Sequence, residues 1–170
     1  PLYGKLSDLY GRKKILLTGI TIFLIGSALC AAAWNIHSLI VFRGIQGIGA
    51  GSIMATVSTI AGDIYTIRER AKIQGWLSSV WGISAILGPV LGGGLAELFN
   101  WRWIFLINLP GGVIAGILIS LFLKEKIQKQ KVEIDYAGAI SIFGMLTALI
   151  VFLLNGGQIW PWLSLPSFIF

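Results

Sequence analysis

Charge is scarce in this 170-residue chain: 12% of the residues are Asp, Glu, Lys or Arg, where a soluble domain carries about a quarter. Between Lys14 and His37 there is no charged side chain at all. Cysteine and histidine occur once each. The lone Cys30 excludes an intrachain disulfide, and inside an apolar run it reads as a small hydrophobe. His37, in the short turn Asn35-Ile36-His37, cannot hold a metal without partners. No nucleotide loop, nucleophile motif or zinc spacing occurs. These shortages point away from an enzyme: no catalytic residue, no cofactor and no metal is expected. The roughly ten-residue alternating segments of a membrane β-barrel are also missing.

What fills the space is apolar. Hydrophobic residues make up 56% of the chain, and the mean hydropathy is +0.85. Five runs stand out: Ile15–Trp34, Ser38–Gly62, Ile73–Ala96, Trp103–Leu123 and Tyr136–Leu154. At ~1.5 Å per residue each can cross a ~30 Å hydrocarbon core as a helix. Their apolar residues surround the helix and do not form one stripe, as membrane spans require. The fold class read from this is all-α, a polytopic membrane helix bundle with the lipid bilayer as its solvent. Pro1-Leu2-Tyr3 reads as the end of an earlier helix and Ser167–Phe170 as the middle of a further apolar run. The chain is therefore expected to be an internal piece of a longer protein, whose remaining spans complete the bundle.

The net charge of +6 is unevenly placed. Lys5, Arg12, Lys13, Lys14, Arg68, Arg70, Lys72, Lys124, Lys126, Lys129 and Lys131, eleven of the thirteen basic residues, fall in loops on one side. Arg102 falls on the other, and Arg43 within a span. Short loops with this bias face the cytoplasm, so the expected location is a cell membrane, a bacterial inner membrane in particular. Basic residues scattered over short juxtamembrane loops do not form a nucleic-acid surface. Trp101, Trp103, Trp160 and Trp162 lie near outer helix ends, where interfacial anchors sit.

One basic loop has internal order. In Gly4-Lys5-Leu6-Ser7-Asp8-Leu9-Tyr10-Gly11-Arg12-Lys13-Lys14, glycines at 4 and 11 permit sharp backbone geometry and close helix contact. Asp8 and Arg12 are one helical turn apart and can pair on one face. The arrangement resembles the loop between the second and third spans of major facilitator superfamily transporters. Gly4, Asp8, Gly11 and Arg12 match that motif, while Leu9 stands where the family usually has Arg. Counted in that family's way, the runs are spans III to VII. Residues 1–123 would belong to the N-terminal six-helix transport domain, from the end of span II to span VI. Residues 124–135 would be a short cytoplasmic link, and 136–170 an extra helix VII with the start of helix VIII.

Arg43 is the one charge set deep in an apolar span, in Leu39-Ile40-Val41-Phe42-Arg43-Gly44-Ile45-Gln46-Gly47. An arginine there costs several kcal/mol unless it faces protein or a wet cavity. Snorkelling to the outer headgroups is the plain alternative. Gln46, one turn deeper on nearly the same face, and the neighbouring glycines favour a functional site. The stretch resembles the fourth-span motif of drug exporters. There the resemblance implies that Arg43, with Gln46, lines the substrate cavity and couples proton movement to substrate, its acidic partner lying on span I.

In Trp81-Gly82-Ile83-Ser84-Ala85-Ile86-Leu87-Gly88-Pro89-Val90-Leu91-Gly92-Gly93-Gly94, Pro89 should bend the fifth span. Gly88 and Gly92 form a candidate close-packing pair. An ordinary kinked, tightly packed helix would read the same way. The stretch resembles the antiporter motif, in Gly88, Pro89, Gly92 and Gly93, with Ser84 where the pattern usually starts with Gly. Asp63 closes the fourth span, where an acid is unfavourable at a helix C-terminus by up to ~1 kcal/mol and calls for a basic partner. The resemblance implies a cluster of Asp63, Asp8 and Arg12 that breaks as access alternates. Glu69 and Arg70 read as surface charges. Trp101 to Pro110 reads as interfacial anchoring plus a proline-kinked start to span VI, with Gly112 and Gly116 as another packing pair.

The short link Lys124–Asp135 followed by Ile134-Asp135-Tyr136-Ala137-Gly138 resembles fourteen-span drug:proton antiporters, which carry two extra helices between their halves. The resemblance implies proton-coupled export of small amphipathic molecules. Import of a metabolite by a facilitator or symporter is the alternative within transport. A non-transport membrane enzyme or sensor is the alternative outside it.

Overall fold

The computed structural model describes residues 2–124 and 135–155. It contains α1 Leu2–Tyr10, α2 Arg12–Ala31, α3 Ile36–Ile64, α4 Ile67–Leu98, α5 Trp103–Leu106, α6 Asn108–Phe122 and α7 Tyr136–Asn155. The described residues hold no strand. Five stretches are long and apolar enough to cross a membrane: α2, α3, α4, Trp103–Phe122 (α5 with α6) and α7. They coincide with the five apolar runs, so the chain is an all-α polytopic bundle. Most of the expected link, Pro1, the start of helix VIII, Trp160 and Trp162 lie outside the described residues.

The helices form two bodies. Among the described residues, one runs from Tyr3 to the end of α6 and the other is built around α7. The second contains α7, capped by Asp135, whose Oδ1 accepts from the Gly138 amide at 2.8 Å. Twenty residues without a charge follow.

In the first body, α2 packs most extensively on α3. The seam is cut from small residues. A Cβ on Gly26 would sit 2.6 Å from the Gln46 amide nitrogen and Cα, and one on Gly49 would sit 2.4 Å from the Phe23 nitrogen. Gly19 faces Ser52 just as closely. In lipid, helices associate through such van der Waals contact and hydrogen bonds, since there is no hydrophobic drive between them. One hydrogen bond here runs from Ser52 Oγ to the Ile15 carbonyl, 3.2 Å. On another side of α2, Gly112 of α6 meets Leu24 and Gly116 approaches Ile20, the expected packing pair.

The basic segment at residues 4–14 departs from a simple loop. It is mostly helix α1, broken at Gly11, whose φ of 94° is open to glycine and strained for other residues. Gly4 is ordinary helix, and the sharp geometry and close contact expected there are not made among the described residues. Tyr3 ties α1 to α3, its hydroxyl donating to the Ile48 carbonyl at 2.9 Å.

Several side chains satisfy helix ends. Asn35 caps α3 by accepting from the Ser38 amide, 2.7 Å. Thr66 and Glu69 close the start of α4, the hydroxyl and amide of Thr66 both donating to Glu69 Oε2. Arg70 donates to the Gly62 carbonyl at the end of α3. Glu69 and Arg70 are exposed, as their reading as surface charges expects, and they also serve helix ends. Lys13 Nζ donates to the Ser120 carbonyl near the end of α6, 2.7 Å. Arg102 Nη2 donates to Ala33 O just past α2, 3.0 Å, while stacking on Trp101 at 4.8 Å. Cations at helix C-termini gain from the local dipole and supply the missing donors.

Pro110 explains the break between α5 and α6. With no amide hydrogen it cannot serve the carbonyl four residues back, Leu106, the last residue of α5. Pro89, by contrast, lies inside continuous α4. That helix buries no residue, and nothing in the described chain lies within 4 Å of a Cβ placed on Gly88, Gly92 or Gly93. The close packing expected of Gly88 and Gly92 is therefore not made among the described residues.

Candidate functional site

Two groups of polar residues stand out against the apolar bundle. The first is a charge joint at the end where α1, α2 and α3 meet. Gly11 ends α1 and lets α2 begin at once, which places Arg12 in the first turn of α2 beside Asp8 in the last turns of α1. Arg12 Nη2 lies 3.1 Å from Asp8 Oδ1, and its Nη1 pairs with Asp63 Oδ2 near the end of α3. One guanidinium therefore bridges two carboxylates on three helices, using the planar fork that a lysine lacks. Asp8 and Arg12 do pair, but across the break at Gly11 and not on one face of a single helix. The side chains are 28% exposed for Arg12, 33% for Asp8 and 39% for Asp63. At that exposure each pair contributes only ~0–1 kcal/mol.

The second group lies on the N-terminal half of α3. Arg43 Nη1 donates to Gln46 Oε1 at 3.0 Å, and its guanidinium sits 5.8 Å from the centre of the Phe105 ring. The arginine is thus held by a residue one turn deeper and by an aromatic face, a cation–π contact. Gln46 is only 5% exposed and turned toward α2. Its Nε2 donates to Ser27 Oγ at 3.0 Å. The structure therefore places Gln46 in the α2–α3 seam, with its Oε1 end turned to Arg43. Ser27, 0% exposed, also accepts from Asn108 Nδ2 (3.1 Å) and donates to the Phe105 carbonyl (2.9 Å). Cys30 Sγ stands 4.0 Å from Gln46 Oε1.

Sequence reasoning found Arg43 and Gln46 from their spacing. It missed Ser27 and left Asn108 in an anchoring stretch. Each is an isolated polar residue in its own apolar run, and only packing brings them together. The signal available was weak: a serine beside Gly26, and an amide side chain inside a span. Gly88, Pro89, Gly92 and Gly93 lie on α4, and no contact within the described residues joins them to either group.

An all-α set of membrane-spanning helices, with an ion-paired joint and a buried polar network beside Arg43, defines part of a multi-pass membrane protein. The chain belongs to the major facilitator superfamily, whose family model matches residues 1–170. It is 41% identical over 165 residues to "Multidrug resistance protein 3" of Bacillus subtilis, covering 97% of this chain and 32% of that protein. It is 40% identical over 162 residues to "Multidrug transporter protein MdtP" of the same organism, covering 95% and 30%. "Efflux pump dotC" of Dothistroma septosporum is 40% identical over 167 residues, covering 95% of this chain and 29% of the pump. The chain thus spans about a third of the length of the curated relatives it matches.

Proposed function

We propose that this chain is part of a proton-coupled exporter of small amphipathic molecules in a cell membrane. Arg43 with Gln46 would form its coupling site, and the Asp8–Arg12–Asp63 joint would be the contact that parts as access alternates. The observation that carries the reading is Arg43 itself. A guanidinium set in an apolar span and held by Gln46 and Phe105 is a positive charge able to tune the proton affinity of a nearby acid. The names of the relatives, which speak of multidrug resistance and efflux, support export. The Gly88-Pro89 stretch of α4 supports it over uptake, since the family's antiporters carry a similar one.

The share of the relatives that the chain covers supports its placement as one stretch of a longer transporter. Residues 1–123 would then run from the end of span II to span VI, 124–135 would be the cytoplasmic link, and α7 the first extra helix of a fourteen-span protein. The protein would act without catalytic residues, cofactor or metal. The test is transport by the whole protein in proteoliposomes. An imposed proton gradient should drive a fluorescent lipophilic cation against its own gradient, and a protonophore should stop it. Cation movement indifferent to the proton gradient would refute the coupling.

A further inference from the structure

Ser27 is a fully buried hydroxyl with three partners from three other elements: Gln46 on α3, Asn108 at the start of α6 and the Phe105 carbonyl on α5. A hydroxyl has one proton and two lone pairs. The Phe105 carbonyl can only accept, so it takes the proton. Ser27 Oγ is then left as an acceptor, and both amides must turn their NH2 groups to it. For Gln46 this fixes the other end as well, because Oε1 now faces Arg43, a side chain that can only donate. The polarity is consistent through the whole network. With the amide reversed, its NH2 would face the guanidinium, donor against donor.

We infer that Ser27 is a positioning residue for the coupling site: its hydroxyl sets the orientation of the Gln46 amide and thereby holds the Arg43 guanidinium in place. This rests on the proposed role of Arg43. Removing the hydroxyl leaves a buried amide NH2 without its acceptor and frees the amide to rotate. Ser27→Ala should then release Arg43, although the two residues do not touch. The hydroxyl also ties the Phe105 backbone, whose ring faces Arg43, so both supports of the guanidinium trace back to Ser27.

The experiment uses the whole transporter in proteoliposomes, reading gradient-driven efflux of a lipophilic cation beside equilibrium binding of the same cation. Ser27→Ala should lower coupled efflux on the order of tenfold, the effect of one lost hydrogen bond to a charged group, with binding changed less than about twofold if Ser27 acts on coupling alone. Thr56→Val is the control. It removes another fully buried hydroxyl, one with no hydrogen-bond partner among the described residues, and should leave both readings unchanged. Combining Ser27→Ala with Arg43→Ala should add nothing to the loss from Arg43→Ala alone, since Ser27 acts through Arg43. If Arg43→Ala loses coupling while Ser27→Ala keeps it, or if the two losses add, the positioning role is overturned and the reading of Arg43 stands. If Arg43→Ala couples like the parent protein, both fall.

Discussion

Gly49 offers the sharpest test of how the bundle is held together. A methyl group at that position would lie 2.4 Å from the Phe23 nitrogen, and 2.7 Å from both Phe23 Cα and the Gly19 carbonyl oxygen. All three are backbone atoms, so no rotamer change gives relief, and the first falls about 1 Å short of the 3.4 Å at which ordinary contact begins. Helix α2 must therefore back away from α3 by roughly that amount. Overpacking of this kind costs about 1–3 kcal/mol. The same retreat stretches the Ser52–Ile15 bond (3.2 Å) and the Gln46–Ser27 bond (3.0 Å) beyond hydrogen-bonding range, at about 1 kcal/mol each. Gly49→Ala should thus destabilise the protein on the order of 3 kcal/mol. Gly47→Ala lies on the same helix in open space and should be neutral or slightly stabilising, since alanine favours helix by up to ~1 kcal/mol. Thermal unfolding of the detergent-solubilised protein, followed by fluorescence-detected size exclusion, compares the two. Equal stability of the two variants would refute the close α2–α3 seam.

The charge joint and the topology give two further tests. Asp8→Asn removes one of the two carboxylates on Arg12 and should abolish efflux at nearly normal membrane levels, checked by transport assay beside surface quantitation; full efflux would reduce the segment to a topological flank. In a Cys30→Ala background, a cysteine at Gln128 should be shielded from impermeant label in intact cells while one at Asn100 reacts. Labelling of position 128 from outside would reverse the orientation. Arg70→Ala removes the donor on the Gly62 carbonyl and should lower thermal stability by about 0.5–1 kcal/mol, while Lys72→Ala should change it little.

Where one helix decides the outcome, the residues alone were enough to read it. The five spans follow from uninterrupted apolar runs, and Arg43 with Gln46 follows from three-residue spacing. The residues alone pointed to an Asp8–Arg12 pair and to some basic partner for Asp63 at a helix C-terminus; the resemblance to the family's loop joined the three into a cluster. The detail of that cluster was not legible, since the pairing geometry depends on the positive φ of Gly11, which turns a loop into two abutting helices. Ser27 and Asn108 were illegible for a related reason: their chemistry lies in contacts between residues 81 positions apart. Gly19 and Gly26 escaped notice because glycine is common in membrane helices, and only their closeness to Ser52 and Gln46 sets them apart. Gly88 and Gly92 meet no neighbour among the described residues. Four-residue glycine spacing marks a surface able to pack closely, and it does not say that a neighbour within these residues uses it.

The account turns on Arg43 as a coupling residue and not a snorkelling anchor. The direct measurement is ligand-induced proton release from the purified whole transporter in weakly buffered detergent, with ligand binding followed on the same samples. The parent protein should release protons when a lipophilic cation is added. Arg43→Ala should bind the cation yet release few or none, and Arg43→Lys, which keeps the charge but loses the planar fork, should be impaired. Proton release by Arg43→Ala equal to that of the parent would contradict the account.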